Sequence, residues 1–232
     1  EHASVAIIPK LLPAYAGLLF EDELRELSGA LNPEHPFLFI LGGAKMQTKI
    51  PLIEKFLGVA DHIFVGGALA NNFFREQGHE IGNSIADDTK ISPDLLENNK
   101  IILPVDVAVL EDGKRKIKLP NKVLSEEKIL DAGPQTVELL NGFINDARFI
   151  LWNGPVGVYL EEEFRVASVE IMKLIAQANG KSVIGGGDTT ALISQLNMGD
   201  QFSFLSTAGG AMLEFLATET LVGIEALKQS KR

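Results

Sequence analysis

PFLFILGGAKMQTKI, residues 36–50, decides the reading of this chain. An unbroken apolar run at 36–41 stops at Gly42 and Gly43, and a helix-like segment carrying two lysines follows. A run that is apolar at every position suits a strand covered on both faces. A strand that stops in glycines and opens a helix gathers bare backbone N–H groups and the positive end of a helix dipole, and that geometry binds phosphate. The pattern returns at HIFVGGALA (62–70), SVIGGGDTT (182–190) and FLSTAGGAML (204–213), and in a proline-bearing form at LWNGPVGV (151–158). One such turn is weak evidence. A set of them, all at the carboxyl ends of strands, argues for a built nucleotide site.

Working outward, helical spacing is expected at 20–31, 45–57, 68–77, 134–143, 161–178, 188–196 and 211–216, with Ile50, Ile53, Phe56 and Leu57 as the apolar stripe of the second. Strands are expected at 36–41, 62–65, 147–152, 181–184 and 202–205. Residues 100–110 and 114–119 flank Glu111-Asp112-Gly113, and an Asp-Gly turn between alternating runs is a hairpin signal. Strands alternating with helices imply parallel pairing through right-handed crossovers. The expected fold is α/β: one doubly wound, Rossmann-like domain over 1–232, with helices on both faces of a mostly parallel sheet and a small β-hairpin insert. Ligands of such sheets lie beyond the carboxyl ends of the strands, where all the glycine junctions fall.

Composition narrows the function. The chain has 232 residues, enough for an ample core, and a net charge of -10, which argues against a nucleic-acid surface. No apolar run approaches the ~18 residues that would suggest a membrane span. With no cysteine, disulfides and cysteine-based metal sites are excluded, and a cytoplasmic monomer is expected. The start, EHASVAIIPKLLP, carries no Met and no signal-like pattern, and reads as a cut inside a longer protein.

Two familiar phosphate motifs are missing. Gly180-Lys181-Ser182 ends like a P-loop, but Ile175 stands where its first glycine must be, and the segment precedes a strand. No G-x-G-x-x-G occurs, which removes a dinucleotide-dependent dehydrogenase. Lys45 and Lys49, four apart, are expected to project together from one helix face, ~5–6 Å apart. In the first turns of a helix such a pair costs roughly a few tenths of a kcal/mol unless an anion answers it. Asp188 and Thr189 could cap their helix. Beside Gly185, Gly186 and Gly187, Asp188 is better read as a magnesium ligand and Thr189 as part of a phosphate cradle. In the tryptophan loop, Asn153 offers an amide handle on a nucleoside pocket. The histidines form no ligand spacing; His62 reads as structural, and His35 and His79 as surface residues.

Taken together, these segments resemble phosphoglycerate kinase, specifically its C-terminal, nucleotide-binding half. The resemblance runs from HAS and IPKLLPAYAGLL (2–19) through GGAKMQTKI, VGGALANNF, LPVDVAV, LDAGPQT (130–136), LWNGPVGV, GGGDTT and STAGGAMLEFL, in family order. It implies phosphoryl transfer between 1,3-bisphosphoglycerate and MgADP, a glycolytic step giving 3-phosphoglycerate and MgATP. By that similarity Lys45 and Lys49 neutralise phosphates, Asp188 helps hold Mg2+, and Gly186, Gly187 and Thr189 cradle phosphate at one helix start. Gly209 and Gly210 do so at another, facing a partner domain. Adenine would lie near Gly43, Ala44, Gly66, Gly67, Ile85 and Leu130, with Asn153, Pro155 and Val158 alongside. Residues 1–20 would form the hinge region.

Departures are local. The family's ribose-binding Glu is Leu160 here, followed by Glu161, so either Glu161 takes the ribose or the ribose is held loosely. Ala208 replaces a glycine, Phe204 stands in place of a histidine, and the usual GxLPG reads Glu219 to Gly223. The family's other half carries the basic phosphoglycerate site and a catalytic arginine, so the chain is expected to be inactive without it. A stand-alone nucleotide-binding module is the alternative.

Overall fold

In the computed structural model, residues 2–230 are described, and residues 1, 231 and 232 lie outside them. The chain starts with two single-turn helices, α1 (Ala3–Ala6) and α2 (Ile8–Leu11), and the longer α3 (Leu18–Gly29). Alternation follows: β1 (Phe37–Leu41), α4 (Met46–Leu57), β2 (His62–Val65), α5 (Ala68–Glu76), α6 (Pro93–Leu96) and β3 (Ile101–Ile102). Next come β4 (Val107–Glu111), β5 (Lys114–Lys118), β6 (Lys128–Ala132) and α7 (Pro134–Asp146). The last part is β7 (Phe149–Asn153), α8 (Val166–Gln177), β8 (Lys181–Gly185), α9 (Gly187–Gln195), β9 (Phe204–Leu205), α10 (Gly210–Thr218) and α11 (Val222–Lys228).

Six strands form one parallel sheet in the order β3-β2-β1-β7-β8-β9. The pleat sorts its side chains into two cores. Phe37, Phe39 and Leu41 of β1, with Phe149 and Leu151 of β7, pack with α4, α5 and α10. Leu38 and Ile40, with Ile150 and Trp152, pack with α7, α8 and α9. Every residue of β1 is buried, which accounts for its unbroken apolar run. The order reverses between β1 and β7. One half of the chain runs outward to β3 and the other to β9, so the carboxyl ends of β1 and β7 form the switch point at which such sheets bind ligands.

The insert is larger than a hairpin. β4 pairs with β5 through a two-residue turn, Asp112-Gly113, whose φ values of 50° and 72° are the left-handed pair that a type I′ turn requires. β6 pairs with the other side of β4. The run at 100–110 is therefore split: β3 joins the main sheet and β4 the small antiparallel one. The helix expected from 161 starts instead at Val166, after a single 3-10 turn at Glu162–Phe164. On α4 the buried face is Met46, Lys49, Leu52, Ile53 and Phe56, with Ile50 and Leu57 half-buried beside it. Among the described residues, no helix is long and apolar enough to cross a membrane.

Asp106, in the loop before β4, ties that loop to the start of α7. Its buried carboxylate accepts from Gln135 N at 3.0 Å, Thr136 N at 2.8 Å and the Thr136 hydroxyl at 2.7 Å, capping α7 from a distant part of the chain. Gly133 leaves the room: a Cβ there would stand 2.3 Å from that carboxylate. Asp106→Ala is expected to lower stability by about 3 kcal/mol, since it leaves buried N–H donors unanswered. Urea unfolding of the two proteins checks this.

Candidate functional site

The glycine junctions converge on the switch point. Gly42 N donates to Asn153 O at 2.9 Å and Gly43 N to Pro155 O at 3.0 Å, so the end of β1 is stitched to the loop after β7. A Cβ on Gly42 would lie 2.2 Å from Pro155 O, and one on Gly154 2.5 Å from Gly42 O. Only glycine permits that approach. Trp152 is fully buried with its indole N–H bonded to Gly154 O at 2.7 Å, and Val156 N donates to Ser168 Oγ at 3.0 Å, holding the loop down on α8.

Beside this loop lies a cavity of about 300 Å³, within the usual range for a small-molecule site. Of the residues singled out in the sequence, Gly43, Ala44, Gly67, Ile85, Leu130, Pro155, Val158, Glu161 and Asp188 line it. One wall therefore comes from the β1 and β2 junctions, the floor from β6, and the other wall from the tryptophan loop. Sequence reading missed Asn71, Lys128, Asp131 and Tyr159 on the same lining. The Asn71 amide donates to Ile85 O at 2.9 Å and holds that loop on α5. Glu161 reaches the cavity, whereas Leu160 is 77% exposed and outside it.

Gly66, Lys45, Lys49, Asn153, Gly186, Gly187, Thr189, Gly209 and Gly210 lie outside the cavity lining. Gly66 is packed behind it, where a Cβ would meet Phe64 at 2.7 Å. Thr189 is buried and its hydroxyl accepts from Gly154 N at 3.1 Å, linking α9 to the tryptophan loop. Gly187, Gly209 and Gly210 face open space: a Cβ on any of them would have no neighbour within 4 Å.

The two lysines do not form the same-face pair that their spacing suggests. Lys45 is the N-cap residue of α4, outside the helix and exposed. Lys49 lies on the buried face, 7% exposed, and its Nζ donates to Asn153 Oδ1 at 2.6 Å. Burial pushes its pKa down to about 8. Asn153 likewise departs from the role of an amide handle: it is 3% exposed and spends its side chain on Lys49 and on Met212.

The helix starts fall into two groups. Ser92 caps α6, Asp106 caps α7, and Asp131 accepts from Ala167 N at 3.0 Å in the first turn of α8. Asp87 accepts from Gln47 N at 3.2 Å on α4. By contrast α5, α9 and α10 open at Gly67, Gly186 and Gly209, all at positive φ, with no side-chain cap, although Leu69 N of α5 donates to Gly43 O at 3.2 Å. Asp188 therefore does not cap α9; its carboxylate stands near the Tyr159 hydroxyl and raises the Tyr159 pKa. The loop before α10 is shaped by the buried Glu23 of α3, which accepts from Ser206 Oγ at 2.8 Å and Thr207 Oγ1 at 2.9 Å. Uncapped N–H groups at two neighbouring helix starts suit an anion.

Asp131 couples cavity and scaffold. It lies under Gly157, where a Cβ would stand 2.1 Å from its Oδ1, and Arg115 Nη2 is 3.9 Å from its Oδ2. Burial pushes its pKa up to about 7, against the opposing pull of the Ala167 and Ala132 N–H groups. An acid whose pKa is raised by folding holds its proton more tightly in the native state. Stability therefore falls as pH rises from about 4, the unfolded value, through the folded value. Asp131→Asn is expected to remove that fall, and urea midpoints measured from pH 4.5 to 8 in both proteins test it. An unchanged slope would refute the assignment.

Comparison with known proteins fits this geometry. The family model for phosphoglycerate kinase matches residues 1–219. The phosphoglycerate kinase of Macrococcus caseolyticus is 39% identical over 98% of this chain, and that of Rubrobacter xylanophilus is 40% identical over 98%. The chain spans 60% of the length of each of these relatives. Among solved structures, phosphoglycerate kinase from Coxiella burnetii matches with a TM-score of 0.87 at 37% identity, covering 99% of this chain and 62% of that one. The enzyme from Pyrococcus horikoshii OT3 matches with a TM-score of 0.86 at 31% identity, covering 97% and 60%.

Proposed function

The chain belongs to the phosphoglycerate kinase family, and we propose that it is the nucleotide-binding part of such a kinase, holding MgADP or MgATP for phosphoryl transfer with 1,3-bisphosphoglycerate or 3-phosphoglycerate. The observation that carries this reading is the pair of uncapped helix starts, α9 and α10, beside a cavity at the switch point. Adenine enters the slot between Gly43, Ala44 and Gly67 on one side and Leu130 and Val158 on the other. Glu161 accepts from the ribose hydroxyls. The phosphates run toward the first turn of α9, where the Gly187 and Thr189 N–H groups meet them, with Gly209 and Gly210 beyond.

Phosphoryl transfer is catalysed mainly by positioning and charge neutralisation, and the residues have those roles. Lys45 is free to swing onto the phosphates, and Lys49 stands beneath them. Among the described residues no three acidic or histidine side chains cluster in a way that could hold a metal ion. A magnesium ion bound with a nucleotide needs one or two protein carboxylates, with phosphate and water completing its shell, and Asp188 fits that need. When bound, the ion neutralises phosphate charge. The phosphoglycerate site belongs, on this reading, to the part of the relatives that the match does not cover, so the 232-residue chain by itself turns over 3-phosphoglycerate poorly.

Calorimetry with MgADP is the direct test. Binding is expected, with about 2.7 kcal/mol of added stability at a ligand concentration ~100 times the dissociation constant. No heat and no thermal shift at millimolar nucleotide would sink the proposal. Binding without any rate, even with a complementary N-terminal half supplied, would favour a stand-alone binding module.

Glu161 on the cavity lining, with Leu160 turned outward, favours the shifted ribose contact. Glu161→Ala is expected to weaken ADP about tenfold, or ~1.4 kcal/mol, and to leave 2′,3′-dideoxy-ADP unaffected. Equal loss for both nucleotides would show that the carboxylate does not touch the ribose.

A further inference from the structure

Among the described residues, Lys49 is a buried lysine with no acid to answer it. The strands beside it, β1 and β7, carry no charged residue. On α10 Glu214 is exposed, at the start of α9 Asp188 lies beside the Tyr159 hydroxyl, and the N-cap residue Lys45 before its own helix is exposed. Burying an amine against a neutral partner costs stability, and a methionine or leucine would fill the same space without that cost. What answers Nζ is the side-chain carbonyl of Asn153 at 2.6 Å.

Asn153 is placed to hold that amine. It ends β7 in register with Leu41 of β1 and Gly185 of β8, at the centre of the switch point. Its backbone carbonyl receives Gly42 N, and the next residue's N–H is bound by Thr189. Its side chain spans two helices: Oδ1 accepts from Lys49 on α4, while Nδ2 points at Met212 Sδ on α10, 3.6 Å away. The amide cannot be turned over, since Nδ2 would then face the ammonium donor to donor. A Cβ at Gly186 would lie 3.3 Å from Nδ2, so that glycine leaves the amide its room.

We propose that Asn153 is a positioning residue for Lys49: it holds the amine at the point where the first turns of α4, α9 and α10 meet, and so sets where a positive charge stands when phosphate arrives. The proposal rests on the reading of Lys49 as a phosphate-facing cation. It differs from a contact between Asn153 and the nucleoside, because the amide is turned into the protein. With its pKa near 8 the amine is already mostly charged at neutral pH, and no carboxylate has to be displaced before an anion reaches it.

The test starts without nucleotide. In the 232-residue chain, acylation of each lysine by acetic anhydride is followed against pH by peptide mass spectrometry, with Lys45 as the exposed reference. In the wild type, Lys49 should react slowly, with a midpoint near 8. In Asn153→Asp the midpoint should rise by about a pH unit or more, as an adjacent carboxylate favours the ammonium, with the slow limiting rate retained. In Asn153→Ala the amine should be released, its rate and midpoint approaching those of Lys45. A wild-type Lys49 that titrates with the exposed lysines overturns the proposal, as does an unmoved midpoint in Asn153→Asp. These two readings stand even if Asn153→Ala fails to fold. MgADP titration then separates positioning from packing: Asn153→Ala should weaken binding about tenfold, ~1.4 kcal/mol. Unchanged affinity in a folded Asn153→Ala with its lysine released would make the tether structural and defeat the proposal. Absence of MgADP binding in the wild type would instead strike the nucleotide reading and leave the lysine titration standing.

Discussion

The contact on which the rest depends is between two backbones with no side chains between them. Gly42 at the end of β1 and Gly154 after β7 approach so closely that a methyl on either would collide with a carbonyl of the other turn. That approach lets Gly42 and Gly43 donate to Asn153 and Pro155, which in turn seats Val156 on Ser168 and aims the rest of the loop along the cavity. At the first and third junctions the glycines divide their work. Gly42 and Gly185 are packed against neighbours, while Gly43 and Gly187 open onto free space. At Gly42 and Gly43 the same doublet closes the fold on one side and leaves open space on the other.

Electrostatics follows the same division. Carboxylates from distant segments answer the first turns of α7 and α8, and these helices end up as fixed scaffold. The starts of α9 and α10 are left with glycine and no side-chain cap. An unanswered helix start is a standing preference for negative charge, and in this protein α9 and α10 place two of them at the carboxyl edge of the main sheet, where α5 also opens at a glycine without a side-chain cap. Its overall charge is -10, so the attraction is local and owes nothing to the surface as a whole.

The centre of the main sheet was largely legible because β1 is covered on both faces and apolar throughout, and its neighbours β2, β7 and β8 are nearly so. Residues 62–65 match β2 residue for residue, and the expected 36–41 and 181–184 differ from β1 and β8 by one position. What escaped was non-local. β6 reads KILDA, with a charge at each side of its apolar pair, and becomes a strand only by pairing with β4. Glu161 to Glu163 look like a helix start, yet Asp131, on another strand, accepts the N–H of Ala167 and sets the start at Val166. The i,i+4 spacing of Lys45 and Lys49 promised a shared face, but the backbone leaves helical geometry at Lys45, and Lys49 finds its partner 104 residues away. Periodicity reports which face is apolar; it does not report a lysine drawn inward by an amide on a different strand.

The margins of the two sheets carry a consequence of their own. The main sheet ends on both sides in strands of two residues, β3 and β9. So short a margin exposes few unpaired N–H and C=O groups to another chain. The small sheet ends at β5, KRKIK, a charged strand whose Lys116 and Lys118 are ion-paired with Glu111, and at β6, where Gly82 already bridges to Lys128. A protein whose strands are among its most apolar segments therefore presents almost no template for adding another. How its sheets stop works against edge-to-edge association by a route that does not depend on the stability of the core.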